Sequence, residues 1–255
     1  MIKTEKKIKL GWLSTGNGSG SLGLLKKGIE LTKKNILEIN YIFINRELGE
    51  KEGSDKFINY AIENNIKVIS FSSKNFRNIS NLKWKDLRSK FDQEVLKKIS
   101  NNNVDFLVSA GYMLISPVIC DHYKIINLHP ALPDGPNGTW KNVIKELILN
   151  KNYISGISTH IMTKDLDEGP NISYCKFNIH DTEFKKYWNE FYKSNKSIEK
   201  SILFNAIREK ILIYERELLS VTLVKISQGS IDINKDKLVD LSNEVNEKIK
   251  LLFLT

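Results

Sequence analysis

Short apolar runs alternate with stretches of helical periodicity through the first half of this sequence, and the first run opens into a turn with three glycines between Gly16 and Gly20. Ile8 to Leu13 reads as a buried strand. The turn Ser14-Thr15-Gly16-Asn17-Gly18-Ser19-Gly20 follows it, and then a helix carrying Leu24, Leu25, Ile29 and Leu31. The alternation continues, with strands expected at Tyr41 to Ile44, Val68 to Phe71 and Phe106 to Ala110, and helices at Phe57 to Asn64 and Phe91 to Ser100. Strands that alternate with helices are joined by crossovers and so run parallel. The expected fold class is therefore α/β, a doubly wound, mostly parallel, Rossmann-like sheet, whose ligands sit at the carboxyl ends of the strands.

The second half is more mixed. Ile125 to Leu128 reads as a strand running into His129-Pro130, Gly138 to Asn150 as a helix, Gly156 to Met162 and Asn171 to Ile179 as strands, and Ile198 to Ile226 as a long helix that Gly229 ends. Leu238, Leu241, Val245, Ile249 and Leu252 recur at helical spacing and predict a closing amphipathic helix. Three regions follow: 1–120 as the Rossmann-like N-terminal lobe, 121–235 as a mixed α/β lobe holding the candidate catalytic residues, and 236–255 as the C-terminal helix. Phe184, Tyr187, Trp188, Phe191 and Tyr192 form an aromatic stripe among lysines, read first as packing against the body and second as a lid or partner surface.

A chain of 255 residues that is 41% hydrophobic can bury a full core. The apolar run after the basic start is too short for a leader and lacks a small-residue cleavage pattern, and no window approaches the roughly 18 apolar residues of a membrane-spanning helix. Cys120 and Cys175 are far apart and outside any CxxC spacing, which disfavours a disulfide framework or thiolate zinc site and predicts a reducing, cytoplasmic setting. The formal charge of +9 comes from lysines spread along the whole chain, which fits solvated faces with a mild pull on anions better than a nucleic-acid surface.

Three motifs carry chemistry. Gly16, Asn17, Gly18, Ser19 and Gly20 follow a strand and open a helix, so free N–H groups and the positive helix end are available to a phosphate. The segment is neither a Walker sequence nor a clean G-x-G-x-x-G. Asn127-Leu128-His129-Pro130 closes a predicted strand, and strand alternation points Asn127 and His129 the same way, an amide donor beside an imidazole. Such a pair can stabilise a developing oxyanion and move protons. Asp165-Leu166-Asp167-Glu168-Gly169-Pro170 follows the strand bearing His160, and a carboxylate held near His129 would orient the ring and favour its protonated form. Taken singly, these are equally a tight turn, a structural histidine and an acidic surface turn.

Taken together, in this order and spacing, they resemble the folate-dependent formyltransferase family that includes glycinamide ribonucleotide formyltransferase. The matching segments are Ser14 to Ser19, Gly111-Tyr112-Met113, Asn127-Leu128-His129-Pro130-Ala131-Leu132-Pro133, and His160 leading to Asp167-Glu168-Gly169-Pro170, within roughly Lys9 to Ile233. The resemblance implies the Rossmann-like formyltransferase fold and makes 121–235 the catalytic and folate-binding lobe. It implies catalytic Asn127, His129 and Asp167, and 10-formyltetrahydrofolate as donor, with its pterin beside Tyr112, Met113, Lys164, Asp165 and Leu166. It further implies a small-molecule amine acceptor, phosphorylated and bound at Gly16 to Gly20, glycinamide ribonucleotide first among candidates, and no metal.

The departures concern mostly the acceptor. The glycine loop, Gly18-Ser19-Gly20-Ser21-Leu22, is one residue longer than the family's usual form. The turn Gly111 to Pro117 is one residue shorter and lacks the arginine common after the methionine. Asp134-Gly135-Pro136-Asn137-Gly138-Thr139-Trp140 stands where the family has Pro-Gly followed by His or Arg. An alternative acceptor, such as a nucleotide-linked amino sugar, keeps the same chemistry, and a non-catalytic binding protein on the same fold is the reading from another class. Formyltetrahydrofolate hydrolysis is disfavoured because no stretch before Lys9 accommodates the regulatory domain typical of that relative. The long C-terminal extension expected of methionyl-tRNA formyltransferase is likewise not found.

Overall fold

A computed structural model describes residues 7–79, 82–114, 116–165, 168–194 and 196–254. It divides into two compact units: Met1–Asn127 with Ile161–Gly169 and Ser227–Ser230, and Leu128–His160 with Pro170–Ile226 and Ile231–Thr255. Among the described residues there are eight strands, mostly parallel, with helices between them, an α/β fold.

In the first unit, strands β1 (Ile8–Ser14), β2 (Leu37–Ile44), β3 (Val68–Ser70), β4 (Phe106–Ser109) and β5 (Ile125–His129) run parallel in the order β3-β2-β1-β4-β5. The last two residues of β5 belong to the second unit. The inner stretches of β1 and β2 lack a polar face because a parallel sheet is covered on both sides: Leu10, Trp12, Leu13, Ile42, Phe43 and Ile44 are all fully buried. Helices α1 (Ser19–Lys33), α2 (Glu52–Glu63) and α4 (Trp84–Ile99) supply the cover, through Leu24, Leu25 and Ile29, Phe57 and Ile58, and Phe91, Val95 and Ile99. Each such side chain contributes roughly 1.5–3 kcal/mol by leaving water.

Two short helices, α3 (Ser73–Asn78) and α5 (Pro117–His122), have no counterpart in the periodicity. Ser72 caps α3 by accepting the Asn75 N–H at 2.9 Å. The buried Asp92 carboxylate of α4 caps α5, accepting the N–H groups of Val118 at 3.0 Å and Ile119 at 3.4 Å. Burial nevertheless holds the Asp92 carboxyl above the ordinary carboxylate range.

In the second unit, β6 (Ile154–Ile161) pairs antiparallel with β7 (Asn171–Asn178), and β8 (Val239–Asp240) runs parallel to β7. Around them lie α6 (Trp140–Leu149), α7 (Thr182–Lys193), α8 (Ile202–Ser227) and α9 (Ser242–Leu252). A buried hydroxyl chain links Thr159 Oγ1 of β6 to Ser173 Oγ of β7 at 2.7 Å, and that oxygen to Thr222 Oγ1 of α8, again at 2.7 Å. Three polar side chains are thereby satisfied in the interior.

The helix expected over 198–226 is divided: Ile198–Lys200 forms a single 3₁₀ turn, and α8 starts afresh after Ser201, whose Oγ accepts the Phe204 N–H at 3.1 Å. The closing helix begins at Ser242, because Val239 pairs opposite Ser173 and Asp240 Oδ1 accepts the Ser242 N–H at 2.9 Å. The aromatic stripe on α7 is packing: Phe184 and Trp188 are buried, and Trp188 Nε1 donates to the Ile179 carbonyl at 2.6 Å. Among the described residues no helix is long and apolar enough to cross a membrane.

Candidate active site

The glycine loop belongs to the first unit. Ser14 Oγ donates to the Ala110 carbonyl at 2.8 Å and accepts the Gly16 N–H at 3.1 Å, and Ser54 Oγ of α2 donates to the Thr15 carbonyl at 3.2 Å. These bonds fix the exit from β1. Gly18 is the N-cap of α1 at φ 103° and ψ −171°, a conformation open essentially to glycine, and it makes no side-chain cap bond. Asn17, Gly18 and Ser19 are exposed, and no acidic residue stands in the first turn of α1. The start of a fifteen-residue helix is thus at the surface at Gly18 and Ser19, with no carboxylate in its own first turn to compete for its orphan N–H groups.

The expected folate turn is tied to this loop within the same unit. The Thr15 N–H donates to the Gly111 carbonyl at 3.0 Å, and Thr15 Oγ1 accepts the Met113 N–H at 3.0 Å. Thr15, which the motif reading passed over, therefore couples the two segments. The signal available in the sequence was a hydroxyl directly after the strand.

Tyr112 and Met113 divide their tasks. The Tyr112 ring is in the core cluster with Leu13, Phe43 and Phe91, meeting Phe43 edge-on at 6.1 Å, and burial drives its hydroxyl pKa far upward. Only its main chain is available to a ligand, whereas Met113 is 65% exposed. Lys164 and Asp165 are exposed, and the Asp165 carbonyl accepts from Thr163 Oγ1 at 2.9 Å. Leu166 and Asp167, and Ile115 of the shortened turn, lie outside the described residues.

Asn127 and His129 occupy alternate positions of β5. His129 is 7% exposed, and its Nε2 lies 2.8 Å from the Pro136 carbonyl oxygen. A carbonyl only accepts, so Nε2 carries a proton and donates, which sets the ring orientation. The partner is a main-chain oxygen of the divergent loop, an interaction that residue types do not reveal.

That loop is anchored at its far end too. Trp140 lies under the Arg208 guanidinium at 4.4 Å and against the Phe204 ring at 5.9 Å. Thr139 Oγ1 caps α6 by accepting the Asn142 N–H at 3.4 Å. Arg208 also approaches Glu215 at 3.8 Å; burial raises the Glu215 carboxyl to about 6, and the arginine charge offsets part of that rise. His160 is buried on β6.

Comparison with known proteins adds an independent line. The family model described as "Formyl transferase" matches residues 25–207, more than half of the chain. Phosphoribosylglycinamide formyltransferase of Escherichia coli (strain K12) is 32% identical over 94 residues, 36% of this chain and 43% of that protein. A methionyl-tRNA formyltransferase of Campylobacter jejuni is 34% identical over 91 residues, 35% of this chain and 29% of the relative. The chain thus spans less than half the length of these curated relatives. The crystal structure of phosphoribosylglycinamide formyltransferase from Campylobacter jejuni superposes with a TM-score of 0.61 at 28% identity, covering 86% of this chain and 97% of that one. With the strand order of the first unit and the motif at the end of β5, the family match identifies this chain as a member of the formyl transferase family.

Proposed function

We propose that this protein transfers a formyl group from 10-formyltetrahydrofolate to a primary amine, with glycinamide ribonucleotide as the first candidate acceptor. The observation that carries the reading is the Asn127-x-His129-Pro130 sequence at the end of β5, with the His129 ring buried and held by the Pro136 carbonyl. The donor supplies an activated formyl carbon. The exposed Met113 side chain offers an apolar contact suited to a flat ring, and the main chain of the 111–113 turn is already fixed through Thr15.

In this reading Asn127 donates its amide N–H to the formyl oxygen as negative charge develops there, and His129 steadies the same charge. Asp167 orients His129 and takes up the amine proton through water as the new C–N bond forms; that proton is passed to N10 as the formyl carbon–N10 bond breaks and tetrahydrofolate leaves. The acceptor's phosphate sits on the N–H groups at the start of α1, where helix dipole and orphan donors act together.

A second reading keeps this chemistry and changes the acceptor to a nucleotide-linked amino sugar. It is favoured by the 134–140 loop, which replaces the family's usual acceptor-facing residues and carries Trp140. One experiment tests both: the purified protein is given 10-formyltetrahydrofolate with glycinamide ribonucleotide, with amino-sugar nucleotides, or with no amine, while tetrahydrofolate release is followed. Release dependent on one amine identifies the acceptor. Release without any amine replaces transfer by hydrolysis, and no release under any condition refutes the proposal.

A further inference from the structure

Beside the glycine loop, the first unit holds a cavity of about 490 Å³ whose walls include Asn45, Arg46, Glu50, Lys74, Arg77 and Met113. It occupies the carboxyl ends of β2 and β3, where ligands of doubly wound sheets bind. Three cations face one carboxylate. That carboxylate is itself engaged, since Glu50 Oε1 accepts the Glu47 N–H at 3.2 Å.

Two details separate this cavity from the lysine-rich surface elsewhere. The Arg77 guanidinium is held over the Trp84 ring at 4.4 Å, and its Nε donates to the Ser73 carbonyl at 3.2 Å, so its charge is fixed in place. Asn45 is 4% exposed; its Nδ2 donates to Ser73 Oγ at 3.0 Å, while its Oδ1 is buried with no hydrogen-bond partner among the described residues. A buried acceptor left unmet is costly, and it marks where a ligand's donor belongs.

We propose that this cavity is an anion-binding subsite that takes a phosphate or carboxylate between Arg46, Lys74 and Arg77, with a neighbouring N–H or O–H of the same ligand donating to Asn45 Oδ1. Two sources carry that chemistry: a sugar phosphate, with its hydroxyls, and a γ-glutamyl chain, with its amide N–H groups and carboxylates. Assigning the anion to the acceptor or to the donor rests on the formyl-transfer reading. The binding itself does not.

Isothermal titration of the whole protein with pyrophosphate and with tri-γ-glutamate tests it, comparing wild type with Lys74→Glu and Arg46→Gln. Lys74 is exposed, so thermal midpoints close to wild type are expected for its variant, and Lys74→Gln serves if reversal of charge unfolds the protein. At least one anion should bind, weakened about tenfold or more by Lys74→Glu and weakened further by added salt. Selective loss for pyrophosphate points to a phosphate-bearing ligand, and selective loss for tri-γ-glutamate to a glutamyl chain. Failure of both probes to bind wild type, or binding that ignores the substitutions, overturns the proposal. No formyl transfer is read, so failure of the transfer reaction leaves this result standing.

Discussion

Gly111→Ala probes the joint between the glycine loop and the folate turn. Gly111 has φ 73°, the left-handed region, where an alanine costs roughly 1–2 kcal/mol. A Cβ there would also overlap Ser21 Oγ and approach Ser21 Cβ to 3.2 Å, and Ser21 sits buried in the first turn of α1. Forcing such an overlap in a packed site adds roughly 1–3 kcal/mol, for a total of about 2–5 kcal/mol. The two parts separate in a double-mutant cycle. Ser21→Ala removes the clashing oxygen and leaves the backbone penalty, so Gly111→Ala should cost about 1–3 kcal/mol less in that background. Urea unfolding of the four proteins gives the energies. Because Thr15 joins the Gly111 carbonyl and the Met113 N–H, titration with a folate analogue and with glycinamide ribonucleotide should show both ligands weakened in Gly111→Ala. A total cost below about 0.5 kcal/mol, or an equal cost in both Ser21 backgrounds, would refute the reasoning.

Further outcomes follow from the same geometry. Asn127→Ala, His129→Ala and Asp167→Asn should each lower turnover by about 10² or more with the fold retained by circular dichroism; near wild-type turnover in any of them removes that residue from the proposed set. Gly18→Val has open space around its Cβ but must adopt φ 103°, so it should reshape the start of α1 and weaken acceptor binding about tenfold more than folate-analogue binding; equal losses in calorimetry argue against a phosphate there. Burial pushes the Cys175 thiol up to about 12 and the Cys120 thiol up to about 11. Thiolate, the reactive form, is therefore only about 10⁻³ of Cys120 at pH 8 and rises about tenfold per pH unit, so the native protein should react with a disulfide reagent far more slowly than the urea-unfolded chain, and comparable rates would contradict the burial argument.

What the sequence made legible was whatever one segment decides by itself. β1 could be read because Leu10, Trp12 and Leu13 are apolar in a short run, and it is buried because a parallel sheet has no wet face. Elements that depend on a distant partner were not legible. α5 is six residues long and is capped by Asp92 from another helix, and β8 is two residues whose only reason to be extended is pairing with β7. At the candidate site the motif supplied Asn127 and His129, but not that the Tyr112 ring turns into the core, because a turn residue's side-chain direction is set by packing rather than by periodicity. The Pro136 carbonyl on His129 is a main-chain contact and leaves no trace in residue type.

That contact bears on how specificity and chemistry are related here. The loop from Asp134 to Trp140 is bound at one end through Pro136 to His129, and at the other by Trp140 between Arg208 and Phe204 of α8. A hydrogen bond to a carbonyl is directional, so displacing Pro136 weakens its hold on the imidazole or turns the ring with it. If this loop selects the acceptor, as proposed, it does so while holding the residue that meets the developing charge. Acceptor preference and transition-state stabilisation would then not vary independently. Replacing residues 134–140 with the loop of a relative should change turnover with every acceptor, the retained ones included, unless the new loop restores an acceptor oxygen at the Pro136 position. A loop exchange that moved acceptor preference and left turnover untouched would show that the Pro136–His129 bond is incidental to the chemistry.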